Sequence, residues 1–347
     1  MKNLTKHKGA YLGPGHIIVF CAILFLIMIA SVCIGSVNVP LKETMKVLIN
    51  AILGRRQDEV QTAASIILPV RLPRVLCVTF VGASLSLSGA AMQGLLKNPL
   101  ADGSTLGISS GASLGAVLAM ACGLVIPGLP HASTTVNAIV FSFVSLVFIL
   151  TLAYKLDSAL TTNTILLIGV IFSMFAGSFT SLIITFAGDK LKTIVFWTMG
   201  SLQGSGYNSA ALMTVTLIIC SLVLLSIAEE LNAFAVGEDN ARNIGVDVKR
   251  VKLTVLIAVS VLIGVTVSVS GCIGFVGLVT PHMFRRYTGP NHKVLLPVAM
   301  FGGAYFLLLA DLISRTIASP RELPIGIVTS MVGAVSFVYI FYKTRKG

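Results

Sequence analysis

The stretch VLCVTFVGASLSLSGAAMQGL, Val75–Leu95, contains apolar, small and neutral polar residues and no charged side chain. At a rise of about 1.5 Å per residue, a helix of this length spans the roughly 30 Å hydrocarbon core of a bilayer. Gly82, Ser86 and Ala90 recur at four-residue spacing and therefore share one face of that helix. Because small residues let helix backbones approach closely in lipid, the stretch predicts a tightly packed membrane-spanning helix.

The whole chain has the composition of a membrane protein. Its 347 residues are 55% hydrophobic and 11% charged, whereas soluble globular domains carry about 25% charged residues. We predict an all-α, polytopic fold with about ten transmembrane helices in a single domain, residues 1–347. The apolar runs are 16–36, 75–95, 106–126, 134–154, 163–187, 207–228, 251–271, 273–286, 294–313 and 324–342. The eighth run is short and contains Pro281, so we expect a partial or broken helix there.

Small residues recur at four-residue spacing in two further runs. The third run carries Gly107, Gly111 and Gly115, and the tenth carries Gly326, Ser330 and Ala334. We expect these faces to pack against neighbouring helices in a compact bundle.

The distribution of Lys and Arg predicts the orientation of the chain. With both termini in the cytoplasm, the inner loops carry more Lys and Arg than the outer loops, as in other proteins of the cell (plasma or inner) membrane. The outer loop 37–74 departs from this rule through Lys42, Lys46, Arg55, Arg56, Arg71 and Arg74. Its segment LKETMKVLINAIL predicts a helix on the outer surface, in contact with lipid. The apolar residues at helical spacing are Leu41, Met45, Leu48, Ile49 and Ile52.

Several kinds of functional site have no counterpart in this sequence. It contains no phosphate-binding G-x-x-x-x-G-K-[ST] loop and no metalloprotease H-E-x-x-H pattern, so we predict no catalytic residues. The six cysteines stand singly in apolar runs, which predicts neither disulfides nor a metal site. The net charge of +12 is not gathered on a soluble face, so we expect no nucleic-acid partner.

Ionisable residues at mid-membrane, which serve as relays in ion-coupled carriers, are nearly absent. Asp311 and His282 are the two candidates, and both fall near the ends of their runs. Pairing with Arg315, four residues further on, is the simpler expectation for Asp311, and a structural role is the simpler one for His282. A transport pathway in this chain would therefore need energy from elsewhere.

The segment LNAFAVGEDNARNIGVDVKRVK, Leu231–Lys252, interrupts the apolar runs with a cluster of charges. Gly237 and Gly245 divide it into short pieces, of which EDNARNI has acids at its start and Arg242 near its end, as the helix dipole favours. Ala241 and Ile244 lie three residues apart and are expected to share an apolar face. Because so short a helix is unstable alone in water, we expect it to dock on a partner. A solvated loop is the alternative.

Four blocks resemble the FecCD-type permeases, which are membrane subunits of ABC importers for ferric siderophores, haem and cobalamin. The blocks are Arg71–Ala119 (RLPRVLCVTFVGASLSLSGAAMQGLLKNPLADGSTLGISSGASLGAVLA), Trp197–Gly204 (WTMGSLQG), Leu231–Val246 and Gly271–Ala334. The resemblance implies the type II ABC importer permease architecture and a homodimer with two ATP-binding subunits. It also implies an extracytoplasmic substrate-binding protein and an iron-chelate cargo, most often a ferric siderophore, with haem and cobalamin as alternatives. ATP and Mg would be bound by the ATPase, and this chain would need no cofactor of its own.

The resemblance also implies roles for individual residues. Coupling helices in 231–246 would dock on the ATPase through Leu231, Phe234, Gly237, Glu238, Ala241, Arg242, Ile244 and Gly245. Arg71, Arg74 and Arg315 would dock the binding protein, with anchoring to lipid headgroups as the alternative. The cytoplasmic gate would comprise Asn98, Leu100, Thr162 and Asn163, although the family often has a small hydroxyl residue in place of Asn163. A plain turn ending the second run is the alternative for Asn98. An ion-coupled secondary transporter and a membrane-embedded enzyme are the rival functions.

Overall fold

A computed structural model describes residues 13–35, 37–126 and 132–346. The described chain is built from α-helices, which confirms the all-α fold; no strand occurs in these ranges. The helices are α1 Pro14–Cys33, α2 Leu41–Ile52, α3 Gln61–Ile66, α4 Leu72–Leu96, α5 Ile108–Cys122, α6 Ser133–Leu156, α7 Thr162–Thr185, α8 Leu191–Thr198, α9 Tyr207–Ser226, α10 Ala228–Val236, α11 Glu238–Asn243, α12 Val248–Ser270, α13 Val276–Thr288, α14 His292–Thr316 and α15 Ile325–Lys346.

Each predicted apolar run corresponds to one of these helices. Seven described helices are long and apolar enough to cross a membrane: α1, the continuous helix Gln61–Leu96 that contains α4, α6, α7, α9, α12 and α14. The helix α5 and the segment Ile325–Tyr339 of α15 are shorter apolar helices. The helix α13 has 13 residues and extends only about 20 Å. The last residue of the first run, Ser36, and the N-terminal 12 residues lie outside the described ranges.

The helix α4 lies at the centre of the bundle, and most of its residues are buried. A Cβ added at Gly82 would overlap the carbonyl oxygen of Gly303 in α14, and one at Gly89 would overlap that of Gly277 in α13. Between these two contacts, the Thr280 hydroxyl donates to the Ser86 hydroxyl oxygen at 2.7 Å. The predicted small-residue face of α4 is therefore confirmed, and it brings backbone against backbone.

Two helices begin midway along the bundle. Gly277, near the start of α13, lies beside Leu85 and Gly89, halfway along α4. The preceding residues 271–275 are non-helical, so the eighth run is a partial helix as expected, but Pro281 lies inside α13 and does not break it. On the other side of α4, the segment 97–107 turns back into the bundle, where Gly103 contacts Ile263 of α12. The helix α5 then begins at Ile108.

The structure corrects two members of the other small-residue faces. Gly107 is not on the helical face with Gly111 and Gly115: it precedes α5 with a φ of 77° and packs on Gly169 of α7, because the chain is still turning there. Gly111 and Gly115 do pack on α6. In α15 the side chain of Ala334 is exposed, and its neighbour Gly333 packs on Phe275 instead.

The surface helix predicted in loop 37–74 is present as α2. Its fully buried residues are Thr44 and Val47, whereas Leu41 and Ile52 are 58% and 83% exposed. Thr44 and Val47 therefore lie on the face toward the bundle, and the outer apolar residues are available to lipid, as expected for a helix on the outer surface. This placement is typical of a helix at the boundary between lipid and water.

We expect Gly303→Ala to destabilise the protein and Gly177→Ala to leave its stability unchanged. A Cβ at Gly303 meets the backbone of α4, whereas one at Gly177 in α7 has no atom within 4 Å. Overpacking of this kind costs about 1–3 kcal/mol. Thermal unfolding in detergent measures the difference, and equal unfolding temperatures for the two variants would contradict the proposed packing of α4 on α14.

Candidate functional site

The candidate site residues lie at the two ends of α4, which is about 37 Å long at 1.5 Å per residue. Arg71 and Arg74 lie at its start, and we call this the arginine end. Leu96, its last residue, lies beside α11, and we call this the α10–α11 end.

At the α10–α11 end, two glycines separate the short helices as predicted. Gly237 has a φ of 138° and stands between α10 and α11, and Gly245 follows α11 with a φ of 90°. Both values are strongly disfavoured for residues with a side chain. Glu238 and Asp239 lie in the first turn of α11 and Arg242 in its last turn, as the helix dipole favours.

The two short helices are amphipathic. Leu231 and Phe234 of α10 and Ala241 of α11 are fully buried. Ile244 does not share this face, contrary to the prediction, and is 72% exposed. The reason is that α11 ends at Asn243, so Ile244 lies in the turn before Gly245 and its side chain leaves the buried face. Ile244 and the exposed Arg242 therefore form an outward surface of mixed character.

Side-chain bonds join α10 to the start of α14. The Asn232 side chain donates to Asn291 Oδ1 at 3.0 Å, and its own Oδ1 accepts from the His292 backbone N–H at 2.8 Å. Glu229 pairs with Lys293, and this hydrogen bond and charge lower the pKa of Glu229. No sequence pattern pairs residues so far apart, which is why Asn232 and His292 were not predicted.

A cavity of about 470 Å³ lies between the last residue of α4, the start of α7 and the start of α11. Two predicted gate residues and two predicted coupling residues line it together: Thr162, Asn163, Gly237 and Glu238. The Thr162 hydroxyl donates to Glu238 Oε1 at 3.0 Å. The gate and coupling residues predicted separately from the sequence therefore meet in space at this point.

The other two predicted gate residues follow α4 directly. Asn98 Oδ1 accepts from the Leu100 backbone N–H at 2.9 Å and forms a turn, which agrees with the alternative expectation for Asn98. The Leu100 side chain is 47% exposed. Neither residue is among those lining the cavity that Thr162 shares with Glu238.

A second cavity, of about 340 Å³, lies where α5 begins midway along the bundle. It is open to the surface, and the non-helical segment 272–274 forms part of its wall. Small hydroxyl residues dominate the polar part of its lining: Ser104, Ser109, Ser110, Ser113, Thr180 and Thr198. This wall offers hydrogen bonds without charge.

At the arginine end, a buried ion-pair network joins α4 to α14. Asp311 is fully buried between two guanidinium groups, with Arg74 Nη2 at 2.9 Å from Oδ1 and Arg315 Nε at 2.8 Å from Oδ2. Arg74 Nη1 also lies 2.7 Å from Glu322 Oε2. The predicted pairing of Asp311 with Arg315 is therefore confirmed. His282 lies beside the ring of Phe337.

The third arginine binds backbone carbonyls. Arg71 Nη1 donates to the carbonyls of Val32 at 2.8 Å and Cys33 at 3.0 Å, and its Nη2 donates to that of Val37. Arg315 Nη2 adds a bond to the Ser31 carbonyl at 3.0 Å. The end of α1 and the residues after it are thus held by two guanidinium groups.

All three arginines that were expected to dock the binding protein are buried. Arg71, Arg74 and Arg315 are 5%, 8% and 3% exposed, because each donates to carboxylates or carbonyls of this same chain. They are not lipid anchors either, since an anchor needs its charged group at the headgroups. Their role in docking stays a prediction.

The bundle of long apolar helices, with two short amphipathic helices at one end, defines a polytopic membrane permease. The FecCD transport family matches residues 23–343, and the chain belongs to this family of ABC importer permeases. It is 41% identical to the ABC transporter permease YvrB of Bacillus subtilis, over 92% of this chain and 91% of YvrB. It is 39% identical to the cobalamin import permease BtuC of Halobacterium salinarum, over 81% of this chain and 74% of BtuC.

A solved structure agrees with the fold. It is described as an inward-facing conformation of a metal-chelate type ABC transporter and superposes with a TM-score of 0.83. The sequences are 31% identical, and the match covers 95% of this chain and 100% of the other. The fold predicted from the sequence, that of an ABC importer permease, is therefore confirmed.

We expect Asp311→Asn to destabilise the protein far more than Glu59→Gln. Removing one partner of a buried ion pair costs about 3–5 kcal/mol, and Asp311 neutralises two buried arginines. Glu59 pairs with Lys46 on the exposed surface, where a pair contributes about 0–1 kcal/mol. Thermal unfolding in detergent compares the variants, and similar stability for both would show that the arginine network does not hold α4 and α14 together.

Proposed function

We propose that this chain is the membrane subunit of an ABC importer that moves an iron chelate into the cytoplasm, driven by ATP hydrolysis in a partner subunit. The observation that carries the proposal is the α10–α11 end. Two short helices are held there against the bundle by buried Leu231, Phe234 and Ala241, yet they present Arg242 and Ile244 outward. The resemblance of residues 231–246 to the coupling segment of the FecCD permeases supports a docking role for this outward surface of mixed apolar and charged character.

The occupant of that surface is an ATP-binding subunit, which supplies the ATP and Mg sites that this chain lacks in its sequence. The functional unit contains two copies of this chain and two ATPases. The α10–α11 end and both termini then face the cytoplasm, and residues 231–246 act as coupling helices. The exposed apolar faces of α7 and α15, with Met174 70% and Val335 73% exposed, are available to the second copy and to lipid.

The arginine end faces the opposite side and receives the substrate-binding protein. We propose that Arg71 and Arg315 act there by positioning the end of α1 and the residues after it, through the carbonyl bonds described above, and that Arg74 acts by holding Asp311 and Glu322. Exposed basic residues of the same end, such as Lys42, Arg55 and Arg321, provide the surface charge. Charges of this kind mainly guide encounter and orientation.

The cargo we propose is a ferric siderophore. The similarity to a metal-chelate type transporter supports it, and the cavity of about 340 Å³, mainly apolar with several hydroxyl groups, offers uncharged contacts to a chelate. Cobalamin, the cargo in the name of the Halobacterium relative, and haem are the alternatives.

An uptake experiment in liposomes separates this function from an ion-coupled carrier. Alone, the chain is expected neither to hydrolyse ATP nor to accumulate a radiolabelled ferric trihydroxamate, haem or cobalamin under a proton or sodium gradient. With ATPase and binding protein, uptake of one of these probes should require hydrolysable ATP. Accumulation driven by a gradient without ATPase would establish a secondary transporter instead.

We expect Ile244→Glu to reduce co-purification of the ATPase while the unfolding temperature of the permease stays unchanged. Ile244 is exposed, and substitutions at such surface positions usually change stability by less than about 0.5 kcal/mol. The matched control is Ile52→Glu, the same change at an 83% exposed position of α2, outside the α10–α11 end. Equal ATPase recovery with both variants would refute the coupling surface.

A further inference from the structure

Glu238 forms two bonds that join α11 to other parts of the bundle. Its Oε2 lies 2.8 Å from Lys252 Nζ in α12, and its Oε1 accepts from the Thr162 hydroxyl at the start of α7. Lys252 Nζ also donates to the Leu160 carbonyl at 2.9 Å, in the connection before α7. One carboxylate and one ammonium group therefore join α11, α12 and the start of α7.

The burial of Lys252 makes this junction persistent. Its side chain is 2% exposed, and among the described residues its ion-pair partner is Glu238. Separating the two would leave a buried cation without a counter-charge, which is strongly unfavourable. Glu238 is 28% exposed and can exchange with water more easily. The position of the buried Lys252 ammonium therefore determines the position of the Glu238 carboxylate.

The connection before α7 is itself held rigidly by Asp157. Its carboxylate accepts from the backbone N–H groups of Ala159 and Thr161 at 3.0 and 2.9 Å. These bonds, together with the Thr161 and Thr164 hydroxyls, lower the pKa of Asp157 to about 2, so it stays ionised at neutral pH. Leu160, whose carbonyl binds Lys252, therefore has a fixed position relative to the first turn of α7.

On its other side, α11 faces the cavity of about 470 Å³ rather than packed atoms. Leu96 and Lys97, at the end of α4, form the opposite wall. The start of α11 is thus bonded to α7 and α12, whereas toward α4 it faces this cavity, into which the Lys97 side chain extends as far as Gly237. A force on α11 would move the start of α7 with it and change the width of this cavity.

We propose that the Glu238–Lys252 pair and its bond to the Thr162 hydroxyl form the link through which movement of the ATPase reaches the gate. This inference rests on the function proposed above and assigns positioning roles to Glu238 and Lys252. Thr162 receives the movement of α11 through its hydrogen bond to Glu238, and the start of α7 then moves together with α11.

The test uses cysteine labelling in a chain whose native cysteines are replaced by serine, assembled with its ATPase in liposomes. Asn243→Cys, exposed at the end of α11, reports ATPase docking through protection from a maleimide. Asn163→Cys, which lines the cavity, reports the gate through the change in its labelling rate when ATP is added. Neither readout requires the cargo to be known.

Two substitutions break the link at different points. Thr162→Val removes the hydroxyl and keeps the shape, and Lys252→Met removes the buried charge and leaves the accessible Glu238 to water. We expect protection at position 243 to persist in both, and the ATP-driven change at position 163 to fall about fivefold or more, as for a coupling between sites. Thr162→Ser should restore it. Thr185→Val, the same change at the exposed far end of α7, where the hydroxyl donates to the Ser181 carbonyl, should not reduce it.

The outcomes distinguish the link from the proposed function. An undiminished ATP-driven change at position 163 in both Thr162→Val and Lys252→Met, with position 243 still protected, would overturn the link and leave the importer function intact. A Thr162→Ser variant as defective as Thr162→Val would overturn it as well. Absence of protection at position 243 in the parent chain would overturn the proposed function itself. Labelling at position 163 that ignores ATP in the parent chain would overturn both the gate assignment and the link.

Discussion

The contact of backbone against backbone along α4 is the interaction on which the rest of the structure depends. Lipid does not drive helices together as water does, so association relies on close packing and internal hydrogen bonds. At Gly82 with Gly303 and at Gly89 with Gly277, no side-chain atom separates the helices. This places α13 and α14 on α4 at fixed depth, and the two ends of α4 then determine where the polar groups of neighbouring helices meet.

At both ends of α4 this packing brings buried charged groups of opposite sign together. At one end, Asp311 lies between Arg74 and Arg315; at the other, Lys252 pairs with Glu238. An unpaired ion in such a place would cost several kcal/mol, so these pairs hold the arrangement mainly because separating them is unfavourable. These two sets of buried ion pairs join different parts of the protein. The arginine network joins α4 to α14, whereas the Glu238 pair joins the bundle to a helix that meets the ATPase in the proposed function.

Local patterns in the sequence were sufficient to predict much of this. The apolar runs, the surface helix α2 and the glycines after α10 and α11 depend on residues close in the chain, and all are present. What depends on distant residues was missed. Nothing near Arg71 indicates that the carbonyls of Val32 and Cys33 would bind it, so its burial could not be expected. Likewise Ile244 follows the helical spacing of Ala241, but the helix ends one residue too early for the two to share a face.

The helices α5 and α13 begin midway along the bundle, so non-helical backbone and a cavity lie at that depth. Non-helical backbone at such depth is tolerated only where protein or a water-filled cavity covers it, and here the segment 272–274 lines the hydroxyl-rich cavity beside the start of α5. The helix α7 lines that cavity through Thr180 and lines the cavity at the α10–α11 end through Thr162. These residues are about 27 Å apart along one continuous helix. In the proposed link, a displacement of the start of α7 by α11 would reach the wall of the second cavity along the helix itself, through the backbone hydrogen bonds of α7, without a separate relay of side chains.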